Sequence, residues 1–354
     1  MLEAVKIDGR KLFVKTGGNH GKFVKAGGNN GKFVKAGGNH GKKQLEKTCS
    51  EKIVENHMLL GRGEREMYSI HKNPIGIYEK ALPKAFTWEE KFRAAKRAGF
   101  DYMELSVDES DERLARLDWS DEEIETLRTV MRFTGISFPT MCLSGHRKYP
   151  FGSKDPAVRK RAMEIMEKAI RLSVKLGIRC IQLAAYDVYY EESDEETKAF
   201  FLAGMREAVA MASRAGVILA LEIMDTKFVG TIVRALHYLR EIPSPYFKIY
   251  PDMGNLSNFS NDVTAEFEIG LAETVAIHVK ETKPGVFKEV PFGEGEVKFA
   301  EIFAKLKELN YQGMFLVEMW ADNHACQTVE EAAAVIGSAY RFVTGKMKEA
   351  GMEV

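Results

Sequence analysis

Residues 218–225 read ILALEIMD, a short apolar run that carries one carboxylate, Glu222, near its end. Three later runs share this design: FKIYPDMGN (247–255) with Asp252, VAIHVKE (275–281) with His278 and MFLVEMW (314–320) with Glu318. Two glutamates, an aspartate and a histidine form an oxygen-rich ligand set with one nitrogen, which suits a divalent ion such as Zn²⁺, Mn²⁺, Co²⁺ or Mg²⁺. The position of these residues within their runs also indicates the fold.

From Asn73 onward, short apolar runs alternate with amphipathic charged stretches, which is typical of βα units and a parallel sheet. We predict strands in the segments NPIGIYE, FDYMELSV, ISFPTMCLS, RCIQLAAYD, VILALEIMD, FKIYPDM, VAIHVKE and GMFLVEM. Eight such units in about 280 residues match an α/β fold of the (β/α)8 TIM-barrel type, with a doubly wound sheet as the alternative. A barrel places its active site at the carboxyl ends of its strands, and the four candidate ligands fall there on the fifth to eighth predicted strands.

Local signals predict where the helices begin and end. Capping residues precede four of the charged runs: Thr87, Ser120, Ser193 and Thr328. Such side chains accept hydrogen bonds from the first turn of a helix. The segments AGF, TGIS, LGIR, AGVI and YQGM each place a glycine where a helix is expected to stop and the next strand to begin.

Each candidate ligand has a structural alternative when it is considered alone. Glu222 and Glu318 lie in apolar sequence, where an unpaired carboxylate is costly, so a salt bridge would explain either. Asp252 could be an Asx-turn residue, and His278 could be a hydrogen-bonded core histidine. Four ligand-type residues at four successive strand ends are hard to explain as independent accidents, and we therefore predict a metal site.

Other polar residues near the strand ends are candidate substrate or phosphate contacts: Glu79, Lys80, His146, Arg147, Lys148, Ser153, Asn255 and Lys283. The segment LSGHRKYPFGS (143–153) is the most suggestive of these. Three nitrogen donors precede Ser153 near a predicted helix start, where main-chain N–H groups and the helix dipole favour an anion. Lys280 and Lys283 are competing candidates for the phosphate.

Several residues at strand ends carry weaker signals. Glu104, Asp187, Tyr189 and Tyr190 could each belong to a surface contact. Trp320 could form an apolar wall over a sugar, although a lone tryptophan near the rim of a barrel is more often a packing residue. His324 and Cys326 resemble a metal-binding pair but lack a partner carboxylate at a recognisable spacing, so we favour no second metal site.

The composition is that of an ordinary globular protein, with 354 residues of which 45% are hydrophobic and 29% charged. No apolar run approaches the roughly 18 residues needed to span a bilayer. The segment MLEAVKIDGRKLF at the N-terminus lacks the apolar region of a secretory signal, so we expect a cytoplasmic protein without a membrane partner. The four cysteines show no CxxC pair, which favours buried free thiols over a disulfide framework or a zinc ribbon.

Within residues 12–42, a ten-residue unit occurs three times, as FVKTGGNHGK, FVKAGGNNGK and FVKAGGNHGK. Each unit can bury little, so we predict a flexible basic Gly/Asn/Lys extension over residues 1–70, ahead of a catalytic barrel over residues 71–354. The segment GGNHGK lacks the spacing and the Ser or Thr of a Walker phosphate loop. Residues 1–43 hold ten basic and two acidic side chains, which leaves a formal charge of −8 on the remainder. A basic arm for nucleic acid or an acidic partner stays open, although we favour no catalytic role for it.

The chain also resembles a known family, in strings that lie between residues 73 and 351: GIYEKALP, ELSVDESDERLARLDWS, PTMCLSGHRKYPFGS, IQLAAYDVYY, LALEIMD, YPDMGNLS, HVKETKPGVFKEVPFGEG and LVEMW. It is similar to the L-ribulose-5-phosphate 3-epimerase (L-xylulose-5-phosphate 3-epimerase) family of ascorbate and L-xylulose utilisation, within the xylose-isomerase-like superfamily. The resemblance implies an isomerase that interconverts L-xylulose 5-phosphate and L-ribulose 5-phosphate at C3. The family's metal site carries over to Glu222, Asp252, His278 and Glu318, and the paired glutamates are implied to act as acid and base.

These residues suggest a mechanism. Epimerisation beside a ketone needs a proton removed from C3 on one face and returned on the other, which two carboxyl groups can do. A divalent ion at the C2 carbonyl would stabilise the enediolate. Glu222 and Glu318 would exchange roles with the direction of reaction, whereas Asp252 and a neutral His278 would be ligands only. The second ring nitrogen of His278 needs an acceptor that the sequence does not identify.

Other functions compete with this hypothesis. An aldose–ketose isomerase, or a 3-epimerase of a hexulose or of an unphosphorylated ketose, could use the same metal and carboxylates. A phosphodiesterase of the abasic-site endonuclease type needs a histidine-rich site with several metal ions, and from Asn73 onward the chain has only four histidines: His146, His237, His278 and His324. We expect a small-molecule ketopentose phosphate as the substrate, no nucleic-acid partner, and a homodimer as the assembly.

Overall fold

The computed structural model describes residues 2–7, 10–15, 73–321 and 325–354. The chain divides into two units, residues 1–67 and 68–354. In the first unit, β1 (Leu2–Ile7) pairs antiparallel with β2 (Arg10–Lys15). Residues 16–72 hold most of the predicted extension and lie outside the described residues, so its flexibility stays a prediction.

Eight parallel strands of the second unit form a barrel: β3 (Ile75–Tyr78), β4 (Tyr102–Val107), β5 (Thr140–Leu143), β6 (Cys180–Ala184), β7 (Ile218–Glu222), β8 (Phe247–Tyr250), β9 (Ala276–Val279) and β10 (Met314–Val317). Their order around the sheet is β8-β7-β6-β5-β4-β3-β10-β9. The ring closes between β8 and β9, where Val275 N–H donates to Ile249 O at 3.1 Å and His278 N–H donates to Pro251 O at 2.8 Å. The predicted TIM barrel and all eight predicted strands are confirmed.

At least one helix follows every barrel strand: α1 (Trp88–Ala98), α2 (Asp111–Leu114), α3 (Asp121–Thr134), α4 (Pro156–Leu176), α5 (Glu195–Ala215), α6 (Ile232–Glu241), α7 (Met253–Phe259), α8 (Val263–Gly270), α9 (Phe299–Glu308) and α10 (Val329–Glu349). Thr87, Ser120 and Thr328 form capping boxes, as the sequence predicted. The prediction for Ser193 was wrong by one residue. Asp194 caps α5, because its carboxylate can accept from two main-chain N–H groups of the first turn, and Ser193 instead donates to Asp187 at 2.6 Å.

Four of the five predicted glycine stops are confirmed as left-handed caps: Gly99, Gly135, Gly177 and Gly216. The fifth prediction, Gly313 after α9, was wrong. That helix ends at Glu308 with Leu309 as its C-cap, and the left-handed residue is Asn310, with φ of 54°. Asparagine tolerates this conformation better than most residues with a side chain, so a glycine was not required.

The strands are buried on both faces. The main apolar core lies between the strands and the helices, and two smaller clusters fill the barrel interior with residues such as Tyr102 and Tyr250. Gly76 makes room for this filling, since a Cβ there would lie 2.2 Å from the ring of Tyr102. Cys142 and Cys180 are buried free thiols, as predicted. In the described part of the chain, no helix combines the length and the apolar character needed to cross a membrane.

Candidate metal and catalytic site

Four ligand-type side chains meet at the carboxyl ends of β7 to β10. Glu222 is the last residue of β7, His278 lies within β9, and Glu318 directly follows β10. Asp252 comes two residues after β8. One ligand atom of each residue lies within 4.8 Å of the others, so the structure brings together the four residues that the sequence singled out.

Strand alternation explains why these side chains point inward. Residues two positions apart share a face of a strand. The residues that precede Glu222, His278 and Glu318 by two positions belong to the interior clusters: Ala220, Ala276 and Leu316. The ligand-type residues therefore continue the inward-facing rows, in the layer nearest the carboxyl ends.

Asp252 is held by the helix that it begins. It is the N-cap of α7, where its Oδ1 accepts a hydrogen bond of 2.7 Å from the main-chain N–H of Asn255. The other oxygen, Oδ2, lies 3.7 Å from Nδ1 of His278. The turn and ligand interpretations of Asp252 are therefore compatible, because each uses a different oxygen.

The imidazole of His278 lies between two carboxylates. Its Nδ1 is 2.9 Å from Oε1 of Glu222, and its Nε2 is 3.3 Å from Oε1 of Glu104. Glu104 is fully buried on β4, and its other oxygen accepts a hydrogen bond of 3.3 Å from the hydroxyl of Tyr250. Glu104 is thus the acceptor for the second ring nitrogen, a role that sequence reasoning missed.

Lys280 adds a positive charge to the cluster. Its Nζ lies 2.9 Å from Oδ2 of Asp252 and 3.2 Å from Oε2 of Glu318. The ammonium approaches both oxygens outside the geometry of a hydrogen bond, and neither oxygen has a hydrogen-bond partner among the described residues. Lys280, a sequence candidate for the phosphate, faces these carboxylates instead.

The cluster fits a divalent ion on its own chemistry. Oδ2 of Asp252 and Oε2 of Glu318 share a single ammonium, that of Lys280, and Glu222 adds a third carboxylate. The carboxylates therefore outnumber the fixed positive charge of the cluster, which favours a divalent cation. Glu222 is already oriented, because Nε2 of Gln182 donates to its Oε2. Three carboxylates and one imidazole suit Zn²⁺, Mn²⁺, Co²⁺ or Mg²⁺.

Burial and charge shift the pKa values of the cluster in different directions. Burial raises the pKa of Glu222 to about 7, with His278 opposing the shift. Burial alone would raise the pKa of Asp252, but the charges of Lys280 and His278 hold it at about 2. Burial alone would lower the pKa of His278, but Glu222 and the neighbouring carboxylates raise it well above its ordinary value. Without a metal ion, the surrounding carboxylates therefore favour the protonated form of the ring.

Glu79, predicted as a substrate contact, lies in a buried ion cluster. Its Oε2 is 2.6 Å from Nη1 of Arg116 and accepts a hydrogen bond of 2.9 Å from the N–H of Ser106. Its Oε1 pairs with Arg113 and lies 3.7 Å from Nζ of Lys91. Burial would raise the pKa of Glu79, but these cations lower it. All these partners of Glu79 are groups of the protein itself, so the ion cluster is of the kind that stabilises a fold.

His146 and Ser153 are also engaged inside the protein. The ring of His146 stacks on Phe151 with centroids 4.6 Å apart, and its Nε2 is 3.0 Å from the main-chain oxygen of Ala162. Ser153 is buried, and its Oγ accepts a hydrogen bond of 3.2 Å from Asp155 N–H. Asp155 caps α4, so an acidic side chain occupies the helix start where the sequence suggested an anion.

Arg147 and Lys148 have different surroundings. The guanidinium of Arg147 lies 4.8 Å from the ring centre of Tyr189 and 5.7 Å from that of Tyr186. Its buried Nε has no hydrogen-bond partner among the described residues. Lys148 is exposed, with Nζ 3.9 Å from Oδ1 of Asp111.

The remaining substrate candidates follow three different barrel strands, β3, β8 and β9. Lys80 forms an ion pair of 2.5 Å with Asp108. Asn255 is buried, and its amide donates to Ile223 O at 2.8 Å. The main chain of Lys283 forms a tight turn with Val286, and its side chain lines a polar cavity of about 360 Å³.

The last barrel loop contributes an aromatic ring. Trp320 meets Tyr78 edge to face with centroids 6.5 Å apart, and Nζ of Lys288 lies 5.9 Å from a ring centre of Trp320. Cys326 is a partly buried free thiol. His324 lies outside the described residues, so the prediction about a second metal pair stays untested.

Comparison with known proteins finds relatives over most of the chain. The model of the xylose isomerase-like TIM barrel family matches residues 92–340. The chain is 51% identical over 279 residues to L-ribulose-5-phosphate 3-epimerase UlaE of Escherichia coli (strain SE11), covering 79% of this chain and 96% of that protein. The structure of D-psicose 3-epimerase with D-tagatose from Clostridium cellulolyticum H10 has a TM-score of 0.66 at 18% identity, covering 77% of this chain and 99% of that one. A structure of L-ribulose 3-epimerase has a TM-score of 0.62 at 18% identity, covering 79% of this chain and 97% of that one. These two structural likenesses show the fold.

Proposed function

This chain belongs to the L-ribulose-5-phosphate 3-epimerase family of xylose isomerase-like TIM barrels, and on that basis we propose that it interconverts L-ribulose 5-phosphate and L-xylulose 5-phosphate at C3. The family was predicted from short strings of sequence, and the identity of 51% over 279 residues confirms it. The protein is accordingly an epimerase, an enzyme of the isomerase class.

One observation supports the assignment of the reaction to particular residues. The ligand-type atoms of Glu222, Asp252, His278 and Glu318 lie within 4.8 Å of one another where a TIM barrel carries out its chemistry. We assign these four residues as the ligands of one divalent ion, Zn²⁺, Mn²⁺, Co²⁺ or Mg²⁺. When bound, such an ion would polarise the ketone oxygen and so make the proton at C3 easier to remove.

Glu222 and Glu318 are the proposed proton carriers. One must be ionised to take the C3 proton, and the other must be protonated to return one on the opposite face. In the metal-free site, burial raises the pKa of Glu222 to about 7. A bound divalent ion would lower this pKa, because its positive charge stabilises the carboxylate. Glu318 follows β10. Two strands, β8 and β9, lie between β7 and β10 around the barrel. We place C3 of the substrate between the two carboxyl groups.

Arg147 and Lys283 are the proposed anchors of the substrate phosphate. Nε of Arg147 is buried without a hydrogen-bond partner among the described residues, and a phosphate oxygen would supply one. Arg147 lies 5.7 Å from the ring centre of Tyr186, whose hydroxyl donates a hydrogen bond of 2.6 Å to Asp225, three residues beyond Glu222. Lys283 follows β9 and lines the polar cavity described above. Lys80, Lys148 and Lys280 already face carboxylates of the protein. His146 is buried against Phe151 and the main-chain oxygen of Ala162.

The proposed substrate also bears on where the enzyme acts. An ionised phosphate does not cross a bilayer unaided, so a sugar phosphate substrate fits the predicted cytoplasmic location. A role in ascorbate degradation and a homodimeric assembly stay predictions. Light scattering of the purified protein measures the assembly directly.

The reaction is tested by proton NMR in deuterated water. L-Xylulose 5-phosphate is incubated with the enzyme and each of the four metal ions in turn. We expect L-ribulose 5-phosphate that carries deuterium at C3, because the proton passes through exchangeable carboxyl groups. An aldose product would indicate an isomerase instead, and failure to form L-ribulose 5-phosphate with every ion would refute the proposed function.

A further inference from the structure

Glu281 is a buried carboxylate without a cation. It is 3% exposed and forms no ion pair with the described residues. Lys298 and Lys346 line the adjoining cavity but pair with Glu301 and Glu349 instead. Burying an unpaired charge is expensive unless hydrogen bonds compensate it, so the environment of Glu281 requires an explanation.

Main-chain N–H groups supply that compensation, and they all belong to one loop. Oε1 of Glu281 accepts hydrogen bonds of 3.2 Å from Thr282 and Val297, and Oε2 accepts one of 3.0 Å from Gly293. The glycine-rich sequence PFGEG is shaped around the carboxylate. A Cβ on Gly295 would lie 2.2 Å from Oε1 of Glu281, so only glycine lets the loop close this tightly.

The same loop, residues 282–298, touches segments that carry the metal-site residues. Thr282 Oγ1 donates to Gly254 O at 3.0 Å, in the first turn of the helix that Asp252 caps. Further along, the loop carries Lys288, whose Nζ lies 5.9 Å from a ring centre of Trp320. Trp320 is two residues beyond Glu318. The loop therefore contacts the segments that follow β8 and β10, and each of these segments carries one residue of the four-residue cluster.

We infer that Glu281 is a positioning residue for the epimerase: its carboxylate fixes the loop of residues 282–298 so that the proposed phosphate anchor Lys283, and Lys288 next to Trp320, face the bound sugar phosphate. This inference rests on the proposed function. Glu281 touches none of the four metal-site residues, so its effect on the reaction would pass through the loop. A loop displaced by about 1 Å can cost roughly 100-fold in rate, whereas a loop that only stabilises the fold would leave turnover unchanged.

The test compares Glu281→Gln with Glu294→Gln, a matched control that removes the same charge from an exposed side chain of the same loop. The glutamine side chain has only one acceptor oxygen, so it cannot accept from all three N–H groups. Its own NH₂ group must face at least one of these main-chain N–H donors. For Glu281→Gln we expect faster amide hydrogen exchange across residues 282–298, a KM for the ketose phosphate raised by about tenfold or more, and metal affinity within about twofold of wild type. The control should match wild type in all three measurements.

The outcomes separate the inference from the proposed function. Faster loop exchange with unchanged kcat and KM would show a merely structural role and overturn the inference, as would unchanged exchange. If Glu281→Gln does not fold, Lys288→Met tests the loop with its anchor intact, and an unchanged KM for the phosphorylated substrate would then overturn the inference. A wild-type protein without epimerase activity would refute the proposed function instead, while the exchange data would still report whether Glu281 holds the loop.

Discussion

Oε1 of Glu104 lies 3.3 Å from Nε2 of His278, on the opposite side of the imidazole from Glu222. Glu104 comes from β4 and His278 from β9, so the contact crosses the barrel interior. A carboxylate at Nε2 keeps a proton on that nitrogen and leaves Nδ1 to act as the ligand. The pair therefore sets both the tautomer and the orientation of the proposed histidine ligand.

We predict that Glu104→Leu weakens metal binding by about 10–100-fold, because the second ring nitrogen loses its acceptor. Isothermal titration of the metal-free protein with Mn²⁺ or Zn²⁺ measures the affinity. The control is Tyr250→Phe, which keeps the Glu104–His278 contact and removes only the hydroxyl 3.3 Å from the other oxygen of Glu104. Equal affinities for Glu104→Leu and wild type would contradict the role assigned to Glu104.

The four proposed ligands could be predicted from the sequence because a barrel places the carboxyl ends of neighbouring strands together. Each of these residues is a polar side chain near the end of one short apolar run, so the prediction required no knowledge of contacts between distant parts of the chain. Glu104 also stands in such a run, but its partner lies 174 residues away in the chain. Nothing in the local pattern around Glu104 distinguishes a carboxylate that orients a histidine from one in a surface ion pair.

For two predicted substrate contacts, the position at a strand end does not reveal which groups of the protein surround the side chain. Glu79 follows a barrel strand, as a ligand would. Arg113 and Arg116, which follow the next strand, form ion pairs with its carboxylate and neutralise the charge. The helix start near Ser153 has the polarity that attracts an anion, but Asp155 already occupies it as the cap. In both cases the competing partner lies within the protein, and only the three-dimensional structure reveals it.

We predict that Glu222→Gln and Glu318→Gln each reduce exchange of the C3 proton with solvent by about 10²–10⁴-fold or more, since each removes a proton carrier. The NMR assay in deuterated water measures the exchange, and circular dichroism checks that the barrel still folds. Glu125→Gln, on the exposed face of α3, is the control for loss of one negative charge. Undiminished deuterium incorporation in both variants would exclude the two-glutamate mechanism.

We predict that Arg147→Met raises the KM for L-xylulose 5-phosphate by about 10–100-fold, the size expected for loss of a charged hydrogen bond. The KM for unphosphorylated L-xylulose should change little, because that sugar offers no anion. Lys148→Met is the matched control, since it removes the neighbouring charge from an exposed side chain. If both sugars keep their wild-type KM values with Arg147→Met, the phosphate is bound elsewhere.

Glu79 makes a prediction about stability rather than activity. Glu79→Gln leaves Arg113, Arg116 and Lys91 with an uncompensated buried charge, and we expect a loss of about 3–5 kcal/mol in the free energy of unfolding. Urea denaturation followed by circular dichroism measures the loss. Glu112→Gln, which breaks the exposed pair with Lys84, should cost less than about 1 kcal/mol. Similar losses in the two variants would show that the buried cluster adds no special stability.

His146 predicts how stability depends on pH. Burial lowers the pKa of His146 to about 4, from an ordinary value of 6.5. Because the unfolded chain then binds the proton more readily than the folded chain, the contribution of His146 is fully present above pH 6.5 and is lost as the pH falls towards 4. The loss amounts to about 3 kcal/mol over this window.

The variant His146→Gln isolates this contribution, because glutamine can still donate to the main-chain oxygen of Ala162 but does not titrate. Urea denaturation of both metal-free proteins at several pH values between 4 and 7 gives two stability curves. The metal-site carboxylates titrate equally in both proteins, so their effect cancels in the difference. We expect wild type to lose more stability than His146→Gln as the pH falls, whereas the surface variant His237→Gln should follow wild type. Parallel curves for wild type and His146→Gln would mean that the folded and unfolded chains bind the proton of His146 equally well, which would contradict the lowered pKa.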